Sequence, residues 1–255
     1  MKLKLGRHVF GLAAILFGLI TFAFRDFSGG WQQIRPLGTV PHREFLVYLS
    51  AAAQLFGGLA IQWRKTARLG ALVLLATYLA FALLWVPNVL AELKVYDRYG
   101  NFFEQSSLVS GALIVYALES RDASQRRPGL ARLGYGFFGI CVISFTLEQL
   151  WYLSGTASFV PKWIPPGQMF WSITTTVALG LAALALLSGI RALLAARLLT
   201  VMLIGFGLLV WLPTLFADPH KQFNWAGNAQ NLAITGAAWI VTDYLAQKQT
   251  NLASS

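Results

Sequence analysis

The sequence predicts an all-α membrane protein of eight transmembrane helices, arranged as two parallel-repeat four-helix bundles with both termini cytoplasmic. Three observations lead there: the composition, the spacing of apolar runs, and a likeness between the two halves of the chain. Of 255 residues, 56% are hydrophobic and only 12% charged, with a mean hydropathy of +0.59. Soluble domains carry roughly 25% charge, so this chain has too little polar surface to wrap a water-soluble core.

A bilayer core about 30 Å thick calls for roughly 20 apolar helical residues. Eight runs of that order occur: Val9 to Phe24, Phe45 to Trp63, Leu69 to Val86, Phe102 to Leu118, Leu133 to Tyr152, Met169 to Leu187, Ala192 to Leu212 and Ala226 to Leu245. Their length and continuous Leu, Ala, Gly and Phe content indicate helices; barrel strands would alternate apolar and polar residues over about ten positions. Lys2, Lys4 and Arg7 precede the first run as in a signal peptide, but no small-residue cleavage site follows Phe24, so it reads as a retained helix.

Basic residues set the orientation. The amino terminus, Arg64, Lys65 and Arg68, Arg121 to Arg132, Arg191, Arg197 and Lys248 fall on one side and make up most of the 20 Lys and Arg. The positive-inside rule makes that side cytoplasmic, in a cell membrane of the bacterial inner-membrane type. Topology thus accounts for the formal charge of +10, and no nucleic-acid partner is required.

The halves resemble each other at an offset of about 125 residues. Trp85-Val86-Pro87 answers Trp211-Leu212-Pro213, Asn101-Phe102 through Gln105 to Gly111-Ala112 answers Asn224-Trp225 through Gln230 to Gly236-Ala237, and Pro41 answers Pro165-Pro166. Four spans per unit give both halves the same orientation, a parallel repeat. The units are 1–120 and 132–255, joined by a basic cytoplasmic linker, 121–131. Gly57-Gly58, Gly180, Ala182-Ala183 and Gly205 to Gly207 are the small residues expected at helix contacts.

The stretch Phe145-Thr146-Leu147-Glu148-Gln149, then Phe159-Val160-Pro161-Lys162-Trp163-Ile164-Pro165 and Phe170-Trp171, resembles the end of helix one, the outer loop and the start of helix two in DoxX-like membrane proteins. The Asn-Phe lead into the fourth run and the later Gly-Ala pairs resemble that family's fourth helix. Such proteins are single four-helix units, so the chain looks like two of them fused. In the first half, Phe24-Arg25-Asp26-Phe27 and a loop with Pro36 and Pro41 replace the second-half pattern. The resemblance implies an accessory subunit of a membrane redox system, associated with a quinone and a partner redox subunit.

Polar groups inside spans are functional candidates by default. Cys141, Ser144, Glu148 and Trp151 or Tyr152 share one helical stripe. Glu148, with Gln149 beside it, is expected to handle a proton or orient a polar headgroup, accepting hydrogen bonds from Gln230 or Asn231 if the first and last helices of a unit pack together. In the first half Arg25 and Asp26 would face Glu104 and Gln105 as an ion-paired version. Gln54 is a further mid-membrane polar group that needs a partner. Seven of the nine tryptophans, Trp31, Trp85, Trp151, Trp163, Trp171, Trp211 and Trp225, are expected near the outer interface, where an aromatic cavity would suit a planar lipid-soluble ligand.

A single cysteine and three histidines exclude a disulfide framework, a C-x-x-C pair and an all-cysteine metal centre within the chain, and no metal site is expected. Phosphate loops, nucleophile elbows and H-E-x-x-H pairs are missing, which argues against an autonomous hydrolase or an ATP-driven pump. Two alternatives stand beside the redox subunit. One is a structural or assembly protein whose polar groups only hold helices together. The other is a small-solute or proton-coupled transporter, against which counts the lack of a clear Pro- or Gly-broken helix in mid-membrane.

Overall fold

Each of the eight apolar runs folds as helix over most of its length. The computed structural model describes residues 5–119, 124 and 126–253, the side chains of 252 and 253 excepted. The expected linker residue Arg121 and the amino-terminal Lys2 and Lys4 lie outside the described residues.

The elements are α1 (Leu5–Phe24), the short α2 (Gly29–Gln32) and α3 (Arg35–Gly38), α4 (Arg43–Ala60), α5 (Ala67–Ala91), α6 (Tyr96–Leu118), α7 (Pro128–Trp151), α8 (Leu153–Phe159), α9 (Gln168–Ser188), α10 (Ala192–Phe206) with a π-helical turn (Gly207–Trp211), α11 (Leu212–Ala217) and α12 (Gln222–Ala253). No strand occurs among the described residues. Five segments are long and apolar enough to cross a membrane: Leu5–Phe24, Ala67–Ala91, Pro128–Trp151, Gln168–Ser188 and Ala192–Ala217. The remaining long helices, α4, α6 and α12, carry more polar side chains. Leu83, Leu181, Leu184 and Val201 are each at least 60% exposed, an outward apolar surface that water would not tolerate as a continuous face and that lipid solvates. The fold is that of a helical membrane protein.

Neighbours in the bundle are set by small residues. α1 packs chiefly on α12 and α4, α6 on α5, α7 and α12, α9 on α7 and α10, and α10 on α12. At the α1–α12 crossing the backbones touch: a Cβ on Gly236 would lie 2.6 Å from Cα of Phe10, and one on Gly6 would lie 2.5 Å from the amide nitrogen of Ile240. Glycine there lets two helices approach without a side chain between them. Gly57 and Gly58 make the expected contacts, with Leu74 and with the backbone of Gly11, whereas Gly205 meets nothing within 4 Å. The expected closure of first helix on last within one unit is therefore replaced by an exchange: α1 lies on α12 and α7 on α6.

Polar contacts fasten the end of the bundle where α1 begins. Arg7 and Glu119 form an ion pair at 3.1 Å with side chains 5% and 7% exposed, and Asp243 on α12 accepts the Gly6 N–H at 3.1 Å. His8 and Gln62 are joined at 2.8 Å. Single removal of one partner from a buried pair leaves an uncompensated charge and costs about 3 kcal/mol or more. Glu119→Gln is thus expected to destabilise the bundle by ~3 kcal/mol in denaturant titration from mixed micelles, and Arg7→Gln added to it is expected to recover part of the loss. Unfolding unchanged in the single variant would show that the pair holds nothing.

Candidate functional site at the end of α7

The α1–α4, α5–α6, α7–α9 and α11–α12 connections lie at one end of the bundle, and the polar side chains of α7 point toward it on two faces. One face meets α6. Cys141 is buried, Ser144 Oγ lies 3.2 Å from the Tyr96 hydroxyl, and Tyr152 Oη accepts the Asp97 N–H at 3.2 Å. Between them the Glu148 carboxylate sits where a side chain at Gly100 would have to go, so the glycine is what admits it. Glu104 lies one turn along α6 from Gly100, on the same face of that helix.

Among the described residues, neither Glu104 nor Glu148 has a hydrogen bond or ion pair to its side chain. The neighbouring cations are engaged elsewhere. Arg98 binds Glu92 at 2.5 Å and Asp97 at 3.1 Å, Arg35 also pairs with Glu92, and Arg43 binds Asp26 at 2.5 Å. Two carboxyl side chains of α6 and α7 are thus left without a cation of their own, and uncompensated ionisable groups among apolar helices mark functional candidates.

The other face of α7 meets α9. Gln149 Oε1 accepts from the hydroxyls of Thr176 at 3.0 Å and Thr175 at 3.4 Å, while its amide nitrogen has no partner among the described residues. Gln149 lines a cavity of about 210 Å³ walled by Phe159, Ile164, Trp171, Phe206 and Trp211. The Trp171 N–H is engaged, donating to the Pro165 carbonyl at 2.9 Å. Pockets for drug-sized ligands run from about 300 Å³ upward, so this smaller space suits one ring system with any chain attached to it lying outside. A larger groove of about 540 Å³ between α10 and α12, lined by Arg197, Trp239 and Asp243 among others, lies toward the opposite end.

The π turn forms part of the cavity wall. In α5 four positions separate Phe81 from Trp85, whereas five separate Phe206 from Trp211. The extra residue is taken up as the turn Gly207–Trp211, the usual structural consequence of one residue inserted in a helix. It turns the Trp211 ring onto Gly227, where a Cβ would collide with it. Asn228 donates to the Trp211 carbonyl at 2.8 Å and Asn231 to that of Leu203 at 3.1 Å. The π turn lies toward the end of its run and leaves the helix continuous from Ala192 to Ala217.

Several anticipated partnerships do not form. Asn231 serves α10, Gln230 makes no side-chain hydrogen bond among the described residues, and Glu148 faces α6 rather than either. Arg25 is exposed with a left-handed φ of 55°, and Asp26 holds Arg43, so the pair does not reach Glu104 and Gln105. Gln105 instead accepts the Trp31 indole N–H at 2.8 Å and donates to the Tyr78 carbonyl at 3.3 Å. Gln54 is buried with neither amide atom partnered. Trp31 and Trp85 are core residues at 6% and 1% exposure; α2 folds back onto the bundle, and Phe27, Trp31 and Ile34 are buried there. No group of three or more His, Cys, Asp or Glu able to hold a metal ion occurs among the described residues.

Comparison of the chain with protein-family models, curated proteins and solved structures finds no match.

Glu92 anchors the α5–α6 connection. Its carboxyl is held below the ordinary carboxylate range by the hydrogen bond from Arg98, with the charges of Arg98 and Arg35 adding to the effect. A carboxyl depressed in the folded state stabilises at pH above its unfolded value, and that contribution is lost as pH falls through the folded one. Amide exchange at Arg35 and Leu37 is therefore expected to quicken below about pH 4 in the wild type, and to be fast and pH-independent after correction for intrinsic rates in Glu92→Gln. Equal protection in both proteins would remove the clamp.

Proposed function

We propose that the protein is a DoxX-like, multi-pass membrane protein of eight spans in two parallel-repeat units, with cytoplasmic termini, that serves a membrane redox system as an accessory, quinone-associated subunit. The observation that carries the reading is the cavity beside α7. Gln149 offers it an amide N–H that no protein group uses, and aromatic rings form its walls. Such a site fits a planar ring bearing a carbonyl, the chemistry of a quinone head.

The residue before Gln149 turns to another face, where the Glu148 carboxylate sits at Gly100, one turn along α6 from Glu104. A quinone bound in the cavity would supply two-electron, two-proton chemistry, with a partner subunit as the other party to electron transfer. The chain's own part is to orient the ring through Gln149, to exclude water with Phe159, Trp171 and Trp211, and to hold a proton at the Glu104–Glu148 pair one residue away.

A second reading, a proton-coupled transporter of small solutes, is favoured by the carboxyls of Glu104 and Glu148, which no cation pairs. Ionisable groups within membrane helices mark proton pathways, and these two would then carry the coupling proton. Solute uptake into vesicles driven by an imposed pH gradient, and lost in Glu148→Gln, would choose this reading over the first.

Protein extracted gently from its own membranes is expected to retain one quinone per chain by native mass spectrometry with lipid extraction of the same sample. Gln149→Leu is expected to retain it roughly fivefold less, the worth of one hydrogen bond, with unchanged thermal unfolding. Recovery of the bare chain with bulk phospholipid alone would count against the quinone. A Glu148→Gln protein that differs from wild type only by a lower unfolding temperature would leave the carboxyl pair a structural role.

A further inference from the structure

The first half of the chain fills with its own side chain the space that the second half leaves open. Trp31, on the short helix that follows α1, stacks on Phe81 with ring centroids 3.4 Å apart and planes 9° from parallel. Its N–H is satisfied by Gln105 at 2.8 Å, and the ring is 6% exposed. The indole is therefore a fixed part of the core.

At the offset of about 125 positions that relates the halves, Phe81 answers Phe206 and Trp31 answers Thr156. Both Phe206 and Thr156 line the cavity beside α7. Thr156 lies on α8, which follows α7 as α2 follows α1. The ring on which Trp31 stacks has thus been kept, while the ring that stacks has been replaced by a small side chain. Phe159, which walls the cavity, is 58% exposed, so a chain attached to a bound ring has a way out to the lipid.

We propose that this cavity takes a planar aromatic or quinonoid ring stacked on Phe206, in the place that the Trp31 indole takes on Phe81. The inference rests on the cavity being the ligand site described above, and it adds the binding pose and the residue that decides occupancy. Thr156 keeps the site open. A tryptophan there would close it from within, as Trp31 closes the first half.

The test is equilibrium dialysis of the detergent-solubilised chain against 1,4-naphthoquinone and, separately, naphthalene. Wild type is expected to bind one equivalent of the quinone. Thr156→Trp is expected to weaken binding about tenfold or more, a factor of ten in Kd being 1.4 kcal/mol, without lowering the unfolding temperature. Phe206→Leu tests the same stack without enlarging any side chain, should Thr156→Trp fail to fold. Adding Trp31→Ala to Thr156→Trp is expected to restore one equivalent, now in the first half, as a dry cavity cut into a core accepts a ring of matching size.

Binding as strong as wild type in both Thr156→Trp and Phe206→Leu, or no binding by wild type, would overturn the proposal. The two readings separate cleanly. Naphthalene bound as tightly as naphthoquinone upholds the ring site and removes the carbonyl contact to Gln149. Quinone binding that falls in Gln149→Leu but is indifferent to both ring variants upholds the quinone and overturns the stack.

Discussion

The arrangement depends on one close approach, that of α1 to α12 at Gly6 and Gly236. Lipid gives helices no hydrophobic reason to associate, so contact is decided by how near two backbones can come. Where no Cβ intervenes, α1 seats against α12, its first turn reaches the buried Glu119 carboxylate through Arg7, and its amide end reaches Asp243. With α1 committed to α12, the inner face of α6 is left to meet both α12 and α7. That is why Glu148 meets α6, at Gly100, instead of the amides on α12.

α7 separates two kinds of chemistry by adjacency. Successive helical residues point about 100° apart, so Glu148 and Gln149 face different helices while remaining neighbours along the chain. Toward α6 lie ionisable groups without a cation; toward α9 lie hydroxyls, an amide and rings. Gly100 on one side and the π turn on the other make the room each face needs. Arg98, the cation nearest in sequence to Glu104 and Gly100, is kept away by Glu92 and Asp97.

Much of the fold was legible because run length and hydropathy are local properties. The helix positions followed from them, as did the stripe from Cys141 to Tyr152, since period 3.6 fixes which residues share a face. What periodicity does not carry is the identity of the neighbour. Pairing Glu148 with Gln230 or Asn231 needed the assumption that each half closes on itself, and the glycines that say otherwise, Gly6 and Gly236, lie far apart in the chain. The plug formed by α2 did leave a trace in the spacing of Phe27, Trp31 and Ile34, masked by the turn residues around it. The π turn was hidden because an extra residue between Phe206 and Trp211 adds a single position to an apolar run and leaves its hydropathy unbroken.

The pairing of α1 with α12 also governs how the chain is made. Gly6 and the carboxylate of Asp243 that receives its N–H are 237 positions apart. Ribosomes add about 5–20 residues per second, so α1 stays in the membrane for roughly ten to fifty seconds before its principal neighbour exists. Throughout that interval the glycine face of α1 has only α4 and lipid against it, and Arg7 has no counter-ion until Glu119 has been added. The helix that locks α1 is thus made long after it, and this bundle closes only once α12 has followed.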